Sequence, residues 1–207
     1  MSIKIYNIDC VKYLKTLPDN SFDFCITDPP YGIDLKYNTY QDTLENWYNL
    51  MNDFIPEIKR VCKMTIFPSC SIKKMSWIYK NHEPDWLISW NKGSTGHSAY
   101  IGFNSWEPLL VYGKIKNLYL HDCFSVSPTQ SMGSFGHPCP KPIKFYTHFL
   151  SKLPKGLKII EPFLGSGTCA IACHDYGFDL TACELDTEYY EAALKRYNNH
   201  IQQIKLF

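Results

Sequence analysis

The chain has 207 residues, a formal net charge of +1, 45% hydrophobic and 20% charged residues. That is the make-up of one globular domain, with at most a small insertion, large enough to bury a core without staples. No apolar run approaches the ~18 residues of a spanning helix, and Met1-Ser2-Ile3-Lys4-Ile5-Tyr6-Asn7 holds no signal core, so membrane and secreted classes are set aside and a cytoplasmic protein is expected.

In chain order, apolar strand-like runs alternate with helical patterns. Ile3–Ile8 reads as a strand and Val11–Thr16 as a helix. Phe22–Thr27 follows as a strand, then a helix over Leu44–Cys62 in which Pro56 predicts a break or kink. Lys63–Phe67 and Trp86–Trp90 are strands on either side of a helix at Ile72–Lys80, and Leu109–Tyr112 is a further strand. Ile143–Lys152 is a helix, Leu157–Ile160 a strand, Cys169–Tyr176 a helix and Leu180–Cys183 the last strand. The final helix, Glu188–Ile204, is the clearest: Tyr190, Ala193, Leu194, Tyr197, Ile201 and Ile204 share one face, and Asp186 or Thr187 can cap its start. Alternation of this kind predicts an α/β domain with a largely parallel sheet. Gly113–Pro142 is rich in Gly, Pro, Ser and His and too long for an idle connection.

Nine cysteines, an odd number with no Cys-x-x-Cys spacing, read as buried reduced thiols, with no ligand cluster for a metal. The balanced charge gives no basic signature of a nucleic-acid partner, although it can hide a basic face.

Two motifs carry chemistry. Asp28-Pro29-Pro30-Tyr31 directly follows the strand Phe22–Thr27. An acid at the carboxyl end of a parallel strand sits where open α/β sheets bind ligands. Two prolines remove two amide donors, so the turn presents acceptors, which suits a substrate amino group. Tyr31 offers a face on which a base can stack. The plain alternative is a proline-rich turn with a solvated Asp and a packing Tyr. The second motif is Ile159-Ile160-Glu161-Pro162-Phe163-Leu164-Gly165-Ser166-Gly167-Thr168, a strand entering a glycine turn before a helix. Gly165 and Gly167 permit tight turning and close ligand approach. Further on, Cys183-Glu184-Leu185-Asp186 ends another strand with an acid that can accept from ribose hydroxyls, as an adenosine-bearing cofactor requires. With no Lys after Gly167, a phosphate loop is disfavoured.

Together these segments resemble the amino-methylating DNA methyltransferases in the permuted arrangement called the β class, along nearly the whole chain. Asn20-Ser21-Phe22-Asp23 leads into the first motif as in that family. Ile8-Asp9-Cys10 resembles its segment at the cofactor's adenine. His137-Pro138-Cys139-Pro140-Lys141-Pro142 resembles its His-Pro-x-x-Lys-Pro signature. Trp90-Asn91-Lys92 and Trp106-Glu107 resemble its later strands. The resemblance implies a Rossmann-like S-adenosylmethionine-dependent methyltransferase fold: a seven-stranded, mostly parallel sheet, helices on both faces, circularly permuted motif order and a single domain over 1–207. In that sheet Leu157–Ile160 should lie between Leu180–Cys183 and Phe22–Thr27, with Ile3–Ile8 outside Leu180–Cys183 and Trp86–Trp90 at the far edge.

The resemblance further implies S-adenosylmethionine as cofactor, held by Asp9, Cys10, Asp28, His137, Lys141, Glu161, Pro162, Phe163, Gly165, Ser166, Gly167, Thr168, Glu184 and Leu185. Lys141 and Thr168 are expected toward its carboxylate end. Asp28, Pro29, Pro30 and Tyr31 are the catalytic set, acting on the N6 amine of a flipped adenine, with Tyr31 valued for its ring face so that Tyr31→Phe is expected to be mild. Asp at position 28, where cytosine-N4 enzymes more often carry Ser, favours adenine; cytosine-N4 methylation is the alternative. Protein and RNA amide methyltransferases, with Asn-Pro-Pro-Tyr and an upstream glycine loop, fit less well. A ring-carbon enzyme would need a nucleophilic thiolate, for which Cys139 is poorly placed. A non-catalytic DNA- or partner-binding module is the rival from another class.

Two departures stand out. Glu161 replaces the family's usual Asp, and the region for target recognition shrinks to about Gly113–Gly136. A short or degenerate DNA site follows as an expectation, or a partner that completes it: a homodimer, or a separate recognition or restriction subunit. The expected setting is bacterial or phage-type, with no membrane.

Overall fold

The structure is a computed structural model that describes residues 1–68, 72–93, 98–99, 102–128 and 140–204. Its elements in order are β1 (Ile3–Asn7), α1 (Cys10–Lys15), β2 (Phe22–Ile26), α2 (Leu44–Val61), β3 (Cys62–Pro68), α3 (Ile72–Asn81), β4 (Trp86–Asn91), β5 (Ser98–Ala99), β6 (Gly102–Phe103), β7 (Trp106–Gly113), β8 (Cys123–Ser125), α4 (Ile143–Leu150), β9 (Lys158–Glu161), α5 (Thr168–Tyr176), β10 (Asp179–Glu184) and α6 (Thr187–Ile204). Every expected strand and helix forms. The Pro56 break does not: α2 runs unbroken through it, because burial of Met51, Phe54, Ile55 and Ile58 on both sides of the proline holds the helix against one lost hydrogen bond.

The sheet order is β1-β10-β9-β2-β3-β7-β4-β8. As expected, β9 lies between β10 and β2, and β1 lies outside β10, all in parallel. Two expectations are corrected. The sheet has eight strands, and its far edge is β8, which pairs in parallel with Ser89–Asn91 of β4. Three residues inside an irregular, Pro- and Ser-rich stretch leave no readable period. β7 is antiparallel to both its neighbours. It also starts at Trp106, ahead of the expected Leu109, and carries Pro108; the β3 pairing ends at Pro68 opposite Leu109, so among the described residues Pro108 interrupts no ladder on that side.

The near-continuous apolar strands are explained by helices on both faces. Alternate residues go to opposite layers. Phe24, Ile159, Leu180, Ala182, Leu109 and Val111 pack with α4, α5 and α6. Cys25, Ile160, Cys183, Leu110 and Tyr112 pack with α1, α2 and Ile78 of α3. On α6, Ala193 is fully buried, and Asp186 caps the helix through Oδ1, which accepts from the amides of Glu188 and Tyr189, each at 3.0 Å. No helix among the described residues is long and apolar enough to cross a membrane.

The reversal at β7 decides what stands near the Asp28–Tyr31 motif. The carboxyl ends of β1, β10, β9, β2 and β3 share one end of the sheet. Gly113, opposite Met64 near the start of β3, is at the other. Most of the described part of the expected recognition loop therefore lies away from the motifs, with Ile115, Leu118 and Leu120 packed against the core. The chain returns to the motif end only through β8, and residues 129–136 of that loop lie outside the described residues.

Candidate active site

Four strand ends converge on one open cleft. Of the expected residues, Asp9, Cys10, Asp28, Pro30, Lys141, Pro162, Phe163, Gly165, Ser166, Glu184 and Leu185 line it. Pro29, Tyr31, Glu161, Gly167 and Thr168 are not among its lining residues, and His137 lies outside the described residues. Tyr37, Tyr40, Tyr146 and Tyr189 add aromatic walls that no motif pointed to.

Asp28 leaves the end of β2 and meets Lys141, whose ammonium donates to Oδ2 at 2.6 Å. Lys141 is 7% exposed. The same ammonium donates to the Tyr31 hydroxyl at 2.8 Å and lies 4.9 Å from the centre of the Tyr31 ring. The lysine expected toward a cofactor carboxylate thus contacts the Asp28–Tyr31 motif itself. Asp28 Oδ1 is buried and has no hydrogen-bond partner among the described residues. An unsatisfied buried acceptor costs free energy that a donor from a ligand would recover.

The turn after Tyr31 is held by residues that motif reading missed. Asp42, 2% exposed, accepts from the amides of Gly32 at 2.5 Å and of Ile33 and Leu35 at 3.2 Å. Lys74 donates to the carbonyls of Tyr31 and Gly32, with its ammonium 4.6 Å from the Trp47 ring centre. Gly32 has φ of +61°, and a Cβ there would come within 2.6 Å of Trp47 Cβ and 2.8 Å of Lys74 Nζ, so only glycine fits.

On the other side of the cleft, Glu184 at the end of β10 shapes the glycine turn. Its Oε2 accepts from the Gly165 amide at 2.8 Å and its Oε1 from the Asp186 amide at 2.9 Å. Each oxygen keeps a further lone pair for a ligand hydroxyl. Gly167 opens α5 with φ of 77°, and its missing Cβ lets Ala193 approach. Arg196 donates to the Ser166 carbonyl at 2.7 Å and to Thr168 Oγ1 at 2.8 Å, tying α6 to the turn. Asp9 caps α1 by accepting from the Lys12 amide at 3.0 Å.

Glu161 points into the protein. Fully buried, it accepts through Oε1 from the Thr27 hydroxyl and from the Phe163 amide at 3.0 Å, while Oε2 takes no N–H or O–H donor among the described residues. It braces β9 against the strand that carries Asp28. Burial, reinforced by the nearby Asp28 charge, pushes its carboxyl well above the usual carboxylate range. A raised folded-state pKa favours the protonated form in the fold, so this stabilisation is complete at pH below the ordinary glutamate value and is lost as pH rises through the folded value. Thermal melts across pH should show that fall, and Glu161→Gln should flatten it. An identical pH dependence in both proteins would contradict the assignment.

The absence of clustered metal ligands expected from the sequence meets one cluster. His174, Asp175 and His200, on α5 and α6, bring their ligand atoms within 4.8 Å of one another, and none lines the cleft.

Comparison with solved structures defines the class: the fold is that of the S-adenosylmethionine-dependent methyltransferases. The crystal structure of the M1.HpyAVI–SAM complex matches with a TM-score of 0.67 at 22% identity, over 95% of this chain and 99% of that one. The PvuII DNA methyltransferase, described as cytosine-N4-specific, matches with a TM-score of 0.69 at 14% identity, over 95% and 86%. In sequence, the chain is 26% identical to the type II methyltransferase M.HpaI of Haemophilus parainfluenzae, over 92% of this chain and 73% of that protein. It is 23% identical to the type II methyltransferase M2.MboI of Moraxella bovis, over 95% and 88%. No family model matches the chain. The resemblance to the amino-methylating DNA methyltransferases, carried in the sequence by Asp28–Tyr31 and Glu161–Thr168, is borne out by these relatives.

Proposed function

We propose that the chain transfers a methyl group from S-adenosylmethionine to the exocyclic N6 amine of adenine in DNA. The observation that carries the reading is Asp28 Oδ1, a buried acceptor without a partner among the described residues, at the wall of a cleft whose other wall is the Gly165–Glu184 turn. The cofactor supplies an activated methyl on a sulfonium. In this reading Glu184 and the glycine turn would hold its ribose and methionine parts, and Asp9, which lines the same cleft, its adenine. The chain's own work is to orient a poor nucleophile. An aromatic amine shares its lone pair with the ring; acceptance of its N–H groups by Asp28 Oδ1 and the Pro29 carbonyl draws the nitrogen toward tetrahedral geometry and aims the lone pair. Lys141 balances the Asp28 charge in a site that must also admit an uncharged base. The base must leave the stack to reach this depth. Single-domain organisation and DNA as the partner belong to the same proposal.

Both N6-adenine and N4-cytosine chemistry need these acceptors, and one structural relative is described as cytosine-N4-specific; Asp at position 28 supports adenine. Incubation with methyl-labelled S-adenosylmethionine and mixed-sequence DNA, followed by nucleoside analysis, tests enzyme, base and atom together: N6-methyldeoxyadenosine is the expected product, and N4-methyldeoxycytidine or no product overturns the reading.

Carbon methylation by a thiolate gains no support. Cys10, the cysteine at the cleft wall, is buried, and burial pushes its thiol well above its ordinary value, away from the reactive thiolate. Cys139, poorly placed for thiolate chemistry by its position in the sequence, lies outside the described residues, and Cys139→Ser is expected to retain substantial activity. Complete loss of methyl transfer with cofactor binding intact would point to thiol chemistry instead.

A further inference from the structure

We infer that Glu107 is a positioning residue for the proposed methyl transfer, acting through the Tyr31 hydroxyl. The inference rests on the function proposed above and goes beyond the Asp28–Tyr31 motif to a residue about eighty positions away. Glu107 is 6% exposed, near the start of β7, where the reversed strand brings its amino end to the cleft end of the sheet. The Tyr31 hydroxyl donates to Glu107 Oε1 at 2.8 Å, and Lys92, just past β4, donates to Glu107 Oε2 at 3.2 Å. On the other side the same hydroxyl accepts from Lys141 at 2.8 Å, which also holds Asp28 at 2.6 Å.

The polarity is consistent along the whole row. An ammonium at Lys92 donates to a carboxylate at Glu107, which accepts from the Tyr31 hydroxyl, which accepts from the Lys141 ammonium, which donates to the Asp28 carboxylate. Two cations and two anions alternate, so the row is neutral as a whole. Within it a phenol hydroxyl has one good orientation, with its lone pair toward Lys141 and its proton toward Glu107.

This assigns the hydroxyl a task that ring stacking does not need. A tyrosine on a turn can swing about its side-chain torsions, and a stacking platform that swings holds a base at no fixed angle. Glu107, mounted on a central strand, pins the far end of the ring. The same contact fixes where Lys141 sits, and hence which oxygen of Asp28 stays open. The expectation that Tyr31→Phe is mild is accordingly revised: phenylalanine keeps the face but releases the ring and leaves Glu107 and Lys141 each short of one partner.

The test is a double-mutant cycle on the full chain with Tyr31→Phe and Glu107→Ala, read as methyl incorporation into mixed-sequence DNA and as cofactor affinity by calorimetry. Each single variant should lose roughly tenfold or more in kcat/KM for DNA, divided between a higher KM and a lower kcat, because the ring holds the base in both ground and transition states. Affinity for S-adenosylmethionine should stay within twofold. In the Tyr31→Phe background, Glu107→Ala should add almost nothing. Glu107→Gln retains an acceptor for the hydroxyl and should keep most activity, which also guards against a Glu107→Ala protein that merely folds poorly. Full additivity, or Glu107→Ala with unchanged kinetics, overturns the inference. A wild-type chain that methylates no DNA overturns the proposed function instead. The melting temperatures of the four proteins then decide the contact: non-additive shifts support the Glu107–Tyr31 linkage, and additive shifts overturn it.

Discussion

Asp28→Asn is expected to lose methyl transfer by roughly 10²–10³-fold while binding S-adenosylmethionine almost as tightly as the wild type. Asparagine keeps the shape and one acceptor oxygen, but its amide presents donors where the amine needs an acceptor, and it no longer balances Lys141. Asp28→Ala should be as inactive and less stable, because it leaves the buried Lys141 ammonium without its 2.6 Å partner. Breaking a buried pair from one side costs about 3–5 kcal/mol. DNA binding should survive in both, since the carboxylate acts once the base has flipped. Steady-state kinetics, calorimetry and thermal melts on the two variants check this, and an active Asp28→Asn enzyme would end the mechanism.

Glu184→Ala should give the second large effect, on the cofactor. Two backbone amides, those of Gly165 and Asp186, lose their acceptor, at about 1–3 kcal/mol for each buried donor left unmade. The glycine turn loosens at the place where it has to fit the ligand. Affinity for S-adenosylmethionine should fall at least tenfold, with Glu184→Gln in between because one amide oxygen remains. Unchanged affinity in Glu184→Ala would remove Glu184 from the cofactor site. The two experiments separate the walls of the cleft: Asp28 variants lose rate and keep cofactor, whereas Glu184 variants lose cofactor first.

The sequence made these walls visible because each is a local pattern: an apolar run, then an acid or glycine at the point where a strand ends. Phe22–Ile26 before Asp28, Lys158–Glu161 before Gly165 and Asp179–Glu184 all have this form, and the alternation of strands and helices orders them. What stayed hidden depends on chain that folds back. Asp42 accepts from Gly32 across ten positions, Lys74 reaches Tyr31 across 43, and Lys141 reaches Asp28 across 113; nothing in the flanking residues marks these side chains as partners. β8 escaped notice because three residues cannot display a period of two. Glu161 was read as a cofactor residue from its place in a motif, yet its longer side chain turns inward to Thr27 and Phe163.

The sheet order carries a consequence for how the chain is made. An interior strand, β9, pairs with β2, joining Cys25 to Ile160, and β10 pairs with β1, joining Ile3 to Leu180. β1 therefore has no partner strand until synthesis has passed Glu184, and β2, which can pair with β3 earlier, keeps its β9 side open until the chain has passed Glu161. Until then β1 and one edge of β2 present unpaired ladders to the cell, and the nascent chain depends on staying unaggregated. Fragments ending before Lys158 lack β9 and β10 and should be recovered as insoluble material, however complete their Asp28–Tyr31 motif.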